Sequence, residues 1–494
     1  MEESHLVVTA IALLIALVYW FVSIRPDPLK HIPLVGEGSR RKRIQAYHFG
    51  AKKIFADACE KVLSAWRMTD DVMDRALTVL QTVHIAFSGR DTRSLVNEYN
   101  SVPEDVFSPH APFDQFVEKA ITDINITSRA LIYSVRQDLT PSLALSEVAN
   151  GAVLSTISKC SEWSEVDLHH SLISIVTIVS GWVFVGPEYS ATKEYMDLAA
   201  SYAADAFGGP KMLQLVPQPL RPIAAVFMPP LRRVKRFHQR IFDLLGPGID
   251  RRRKELAEGR LRSADMLDWL IVNAHRFPDD IRSDYDIARV QQSLSAVAIH
   301  TTALTALATI FDLACEPKIV EDLRAEIDTV LAAHDGKVTA RSLYEMKLLD
   351  ALMCEIVSAR RKALKPYVFS DGTRIPAGTM LAVPVYTIAR DQAHFSDPEK
   401  FDPYRFTKAR EGGNNDHLQF ASVTHGTMAF GCGKHACPGR FFAALEIKLI
   451  LIHLLKHFDV KAKPGQDGVT RRYGNMEYDS MVSMKRSDSA QVWH

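Results

Sequence analysis

Phe430-Gly431-Cys432-Gly433-Lys434-His435-Ala436-Cys437-Pro438-Gly439 is the stretch that decides the fold. It is a glycine-kinked loop that runs straight into an apolar helix, Arg440-Phe441-Phe442-Ala443-Ala444-Leu445-Glu446. The loop glycines open backbone angles closed to other residues and let a flat ligand come close to the chain. Cys437 stands just before the helix N-terminus. The positive end of the helix dipole and the nearby Lys434, His435 and Arg440 favour a thiolate there over a thiol. Two other readings of the same residues remain open. Cys437 fits a buried structural thiol, since free cysteine packs as a small hydrophobe. Cys432, His435 and Cys437 fit part of a zinc site, although no second pair at ribbon or finger spacing accompanies them.

Read as a pattern, Phe-x-x-Gly-x-[Arg/His]-x-Cys-x-Gly resembles the haem-ligand loop of the cytochrome P450 family. The longer string FGCGKHACPGRFFA is most similar to the fungal microsomal members, of basidiomycete-like type. The resemblance implies a mainly α fold with small β-sheets, the cytochrome P450 fold, preceded by a single N-terminal transmembrane helix. It implies heme b (iron protoporphyrin IX) as cofactor, with Cys437 as the metal ligand and Phe430, Gly433, Gly439 and His435 around the macrocycle. Thiolate ligation of haem iron favours cleavage of the O–O bond of dioxygen.

Composition narrows the field of functions. The chain has 494 residues, 47% of them hydrophobic, enough for an extensive core. Its 59 basic and 58 acidic residues leave a net charge of +1, so nothing in the balance points to nucleic acid. Six cysteines (Cys59, Cys160, Cys315, Cys354, Cys432 and Cys437) are scattered rather than paired, which suits a reducing compartment. Leu6 to Ile24 is an uncharged apolar run. As a helix it spans roughly 28 Å, enough for a bilayer core. Tyr19 and Trp20 lie near its end, and Arg25, Lys30 and Arg40-Arg41-Lys42-Arg43 follow it. The positive-inside rule then places the rest of the chain in the cytosol. The expected organisation is a membrane anchor over 1–24, a proline-rich and basic linker over 25–45, and a catalytic domain over 46–494. The expected location is the endoplasmic reticulum membrane.

Beyond the linker, helices separated by Pro or Gly dominate; Ala191–Ala206, Leu231–Leu245 and Pro317–Ala333 are examples. Strand-like material is sparse: Tyr367-Val368-Phe369 before the turn Ser370-Asp371-Gly372-Thr373, then Met380–Val385. Cys59–Ile85, where the family places its first strands, reads as helical or irregular. Ser293–Glu316 is a long apolar helix interrupted by His300-Thr301-Thr302. On its own that interruption reads as a tolerated kink with threonine hydroxyls bonded to carbonyls of the preceding turn. Beside the Cys437 loop it resembles the family's oxygen-activation helix. Thr301 matches the threonine that helps deliver protons, and His300 stands in place of the usual acid; both are expected to be catalytic.

The remaining motifs match less evenly. Phe401-Asp402-Pro403-Tyr404-Arg405-Phe406 resembles the Pro-x-Arg-Phe signature, whose arginine pairs with a Glu-x-x-Arg helix. Met346–Ala359 resembles that helix, with Glu355 as its glutamate and Arg405 as the partner. The arginine position of the motif holds Ser358, and the stretch to Ser370 is short. Arg361 matches a residue that reaches a haem propionate, and Arg136 in Leu131–Pro141 matches another. Arg232-Arg233-Val234-Lys235-Arg236 and Arg251-Arg252-Arg253-Lys254 read as solvated faces. The implied activity is insertion of one oxygen atom from O2 into an apolar substrate (terpenoid, steroid or polycyclic aromatic), with NADPH as electron source. The implied partners are NADPH–cytochrome P450 reductase and membrane lipid. An inactive relic, or a haem-thiolate isomerase or dehydratase, are the alternatives that the departures leave open.

Overall fold

The computed structural model describes residues 66–67, 84–86, 106–108, 143–157, 163–214, 216, 220–260, 265–277, 281–353, 360–370, 372, 374–377, 379–382, 397, 401–411, 419–423, 429–431, 436–462, 475–478, 481–484 and 490–493. The anchor and linker segments, Arg136, Glu355, Ser358, Cys432, Gly433, Lys434 and His435 lie outside the described residues.

Helices carry the architecture. In chain order they are α1 (Leu143–Thr156), α2 (Leu168–Phe184), α3 (Lys193–Gln214), α4 (Arg221–Phe227), α5 (Pro229–Ala257) and α6 (Met266–Asn273). Then come α7 (Asp284–Leu313), α8 (Pro317–Ala333), α9 (Ala340–Glu345), α10 (Lys347–Ala351), α11 (Tyr404–Glu411) and α12 (Arg440–His457). The long α7 is the axle: α2, α3, α5 and α12 all pack on it. A capping box starts it. The Ser283 hydroxyl accepts from the Asp286 N–H, and the Asp286 carboxylate accepts from the Ser283 N–H. By length and hydropathy α7 could cross a membrane, but 67% of its most apolar window is buried inside the protein. It is core because neighbours surround it. Ile287, Ala288, Ile299, Ala303 and Ala306 along it have no exposed surface.

The strands are β1 (Trp66–Arg67), β2 (His84–Ala86), β3 (Phe107–Ser108), β4 (Ser164–Val166), β5 (Arg360–Ala363) and β6 (Tyr367–Val368). They continue as β7 (Arg374–Ile375), β8 (Met380–Ala382), β9 (Asp459–Ala462), β10 (Asn475–Tyr478), β11 (Met481–Met484) and β12 (Ala490–Trp493). The largest sheet runs β1-β2-β8-β5-β3, with β2 and β8 parallel. A smaller one runs β4-β12-β9, and β6–β7 and β10–β11 form hairpins. Between β6 and β7, Gly372 lies at φ 85°, an angle that glycine takes without strain.

Two expectations need correction. Trp66–Arg67 and His84–Ala86 are paired strands, not helical or irregular chain. Neither segment alternates cleanly, so propensity hid them. Their register comes from the long-range partner, Met380–Ala382. The expected Met346–Ala359 helix is interrupted: α10 ends at Ala351 and a turn follows at Leu352–Met353. Arg360 and Arg361 are strand residues of β5, facing Ala382 and Leu381 in register.

Candidate active site

The Cys437 loop sits between the turn at Ala429–Phe430 and the start of α12. Its two ends are held together by the Cys437 N–H donating to the Phe430 carbonyl at 2.8 Å. Gly431 makes the reversal at φ 74°, where a side chain would be strained. Gly439 is the N-cap of α12, and the Arg440 guanidinium turns back to donate to the Cys437 carbonyl at 2.9 Å. The Phe430 ring packs edge-on against Phe420 with centroids 4.8 Å apart. Cys437 is a free thiol, partly buried.

The electrostatics differ from the sequence expectation. Burial pushes the Cys437 thiol up; the Gly439 and Arg440 N–H groups and the Arg440 charge act against this but do not overcome it. The dipole and the base are therefore present, but they do not make a thiolate by themselves. A cation bound at the sulfur would favour the thiolate.

The polar interruption lies on α7, the helix on which α12 packs. Thr301 is exposed, and its hydroxyl is shared between the carbonyls of Val297 at 2.8 Å and Ala298 at 3.2 Å. Thr305 and Thr309 repeat the bond to the carbonyl four residues back, at 2.9 and 3.0 Å. The expected bonds from threonine hydroxyls to carbonyls of the preceding turn are thus present, within a helix that runs unbroken from Asp284 to Leu313. His300 points elsewhere. Its Nε2 lies 2.9 Å from the Ala200 carbonyl on α3, so that nitrogen carries the proton.

Arg405 donates to the Asp402 carbonyl at 3.2 Å and to the Asp397 carbonyl at 3.0 Å, tying down the chain before α11. The basic run at Arg251 is no simple solvated face. Arg252 is buried and bonds to Asp265 at 2.7 Å and Asp268 at 2.8 Å, while Arg251 pairs with Glu188. Arg233 pairs with Asp205. Sequence reading also passed over Glu446, which is wholly buried in α12. Its Oε1 accepts from the Ser180 hydroxyl at 2.6 Å, and its Oε2 has no hydrogen-bond partner. The signal was there: a lone acid inside the apolar run Phe441–Leu455.

Among the described residues, no three His, Cys, Asp or Glu side chains converge to hold a metal ion on their own. The site instead offers one sulfur at a helix N-terminus, with backbone N–H groups aimed at it. That donor set fits a metal whose other ligands come from a flat macrocycle, and the absence of side chains at Gly431 and Gly439 would let such a group approach the backbone. The comparison with known proteins agrees. The family model "Cytochrome P450" matches residues 143–487, well over half of the chain. The chain belongs to the cytochrome P450 family.

Its P450 relatives include fungal monooxygenases. The monooxygenase braC of Annulohypoxylon truncatum is 36% identical over 335 residues, 65% of this chain and 66% of the relative. The monooxygenase hepE of Aspergillus oryzae is 35% identical over 349 residues, covering 68% of this chain and 62% of the relative. The chain therefore spans slightly less than two thirds of those two relatives' own length. With ntnM of Nectria sp the match runs further: 30% identity over 498 residues, 97% of this chain and 92% of the relative.

Proposed function

We propose that this P450 is a haem-thiolate monooxygenase that inserts one oxygen atom into a C–H bond of an apolar substrate. The observation that carries the reading is Cys437, a single sulfur held at the N-terminus of α12 by the bond from its own N–H to Phe430. The net reaction is RH, O2, NADPH and H+ to ROH, H2O and NADP+, with a flavoprotein reductase passing on the two electrons. Bound haem supplies the activation of dioxygen.

The chain's own residues do the rest. Cys437 would ligate the iron through Sγ, and the N–H groups of Gly439 and Arg440 would stabilise the charge on the sulfur. Phe430, Gly433, Gly439 and His435 would surround the cofactor, and Arg136 and Arg361 would hold its carboxylates. Thr301 is the proton-handling residue. Its hydroxyl gives its proton to a helix carbonyl, which leaves the oxygen free to accept from a water or substrate group. His300 acts by position: anchored to the Ala200 carbonyl, it fixes the α3–α7 approach beside Thr301 rather than serving as a substitute acid. Glu355 and Arg405 keep a structural role.

Membrane lipid is the proposed surrounding of the apolar substrate. Besides the Leu6–Ile24 run, α4 exposes Ile223, Val226 and Phe227 at 62%, 65% and 71%. Such a cluster suits insertion into a lipid interface. The test uses reconstituted protein, reductase, NADPH and isotope-labelled dioxygen with a terpenoid, steroid and polycyclic panel. One labelled oxygen atom is expected in the product, and none without NADPH. Product carrying oxygen from water, or turnover that needs no reductase, contradicts the reading.

A further inference from the structure

One buried carboxylate holds both arms of the Cys437 loop. Asp350 lies on α10 and is 4% exposed. Its Oδ1 pairs with Lys448 Nζ at 2.6 Å. Its Oδ2 accepts from Arg410 Nη2 at 2.6 Å and from the Phe420 backbone N–H at 3.0 Å. The cations are buried too, with side chains 8% exposed for Arg410 and 9% for Lys448. Lys448 also donates to the Leu343 carbonyl at 3.1 Å.

The positions of these partners give the cluster its meaning. Phe420 precedes the ligand loop, and its ring is the one that packs on Phe430. Lys448 follows the loop, on the same helix that Gly439 caps. Arg410 belongs to α11, which follows the Pro-x-Arg-Phe segment. Asp350 thus fixes the upstream arm through a backbone N–H and the downstream arm through an ammonium. The Cys437-to-Phe430 bond closes the circuit between them. Charge-assisted bonds in a dry site are short and directional, so the arms have little freedom to shift against each other.

We propose that Asp350 is a positioning residue for the cysteine ligand, keeping Sγ at the haem iron by clamping Phe420 and Lys448 to one carboxylate. The proposal rests on the haem-thiolate reading above. It assigns part of the loop's support to a triad distinct from the Glu355 and Arg405 motif.

The experiment compares wild type, Asp350→Asn, Lys448→Met and a control, Asp265→Asn, which weakens an equally buried ion cluster around Arg252. Each reduced, CO-treated holoprotein is held at a temperature where far-ultraviolet circular dichroism stays native. Conversion of the thiolate-type Soret band to the shorter-wavelength neutral-ligand band is then followed. Asp350→Asn is expected to convert roughly tenfold faster than wild type, about 1.4 kcal/mol off the barrier. Lys448→Met should lie between the two, and the control should keep its band until it unfolds. Asp350→Asn converting at the wild-type rate, or only as helix is lost, overturns the proposal. If Asp350→Asn does not fold, Lys448→Met is judged by the same criteria. Wild type lacking a thiolate band at all contradicts the haem-thiolate reading instead. In that case amide exchange decides for Asp350. Faster exchange at the Cys437 N–H in Asp350→Asn supports the clamp, and unchanged protection overturns it.

Discussion

Cys437 and Glu446 are both acids that burial pushes towards their neutral forms, and only one of them has a use for the proton's departure. Burial raises Glu446 from 4.5 to about 8, against the opposing bonds from Ser180. Its native pKa exceeds its unfolded one, so the folded protein binds the extra proton between these values. Stability from this group is full below about pH 4.5 and is lost as pH rises through about 8. Glu446→Gln mimics the protonated acid and should flatten that part of the pH dependence of thermal stability; a wild-type slope in the variant contradicts the assignment. Thr301→Ala should keep haem while the ratio of product formed to NADPH consumed falls several-fold, because the bond to Val297 shows no structural need for the hydroxyl beyond its own turn. Coupling equal to wild type refutes the role. At this scale Cys437 was legible, since loop glycines and a following helix announce it. Glu446 left a trace as a lone acid in an apolar run, but Asp350 did not, because the partners that bury it come together only through tertiary packing.

Elements show where local pattern suffices and where it fails. The sequence reading of Pro317–Ala333 matches α8 to the residue, since Pro at its start and apolar spacing at Ile319, Val320, Leu323 and Ile327 settle both ends and face. Met346–Ala359 failed as one helix, because the Leu352–Met353 turn breaks what helix propensity alone would continue. Close helix contact is also invisible in pattern. Gly181 on α2 lies where an added Cβ would come 2.7 Å from the Tyr195 ring and 3.2 Å from the Ser190 backbone. Gly181→Ala should therefore destabilise the protein by about 1–3 kcal/mol despite better helix propensity, as measured by denaturant unfolding. A gain in stability contradicts the close α2–α3 approach.

Across the whole molecule, an axle helix, a ring of helices on it and a small sheet made from distant segments bring Thr301 and the Cys437 loop into one fold. The class was readable from helix punctuation and sparse strands. The sheet order was not, because β2 finds β8 only after nearly three hundred residues of intervening chain. The Arg252 cluster makes a global prediction. Arg252→Met leaves Asp265 and Asp268 buried without their cation, at a cost of about 3–5 kcal/mol, seen as a lower denaturant midpoint. An unchanged midpoint contradicts it. The central claim is that Cys437 sulfur binds haem iron, and one spectrum tests it most directly. Purified, reduced and CO-treated wild type should show the long-wavelength Soret band of thiolate-bound haem, and Cys437→Ala should lack it. A wild type that takes up no haem, or an alanine variant with the same band, contradicts the account.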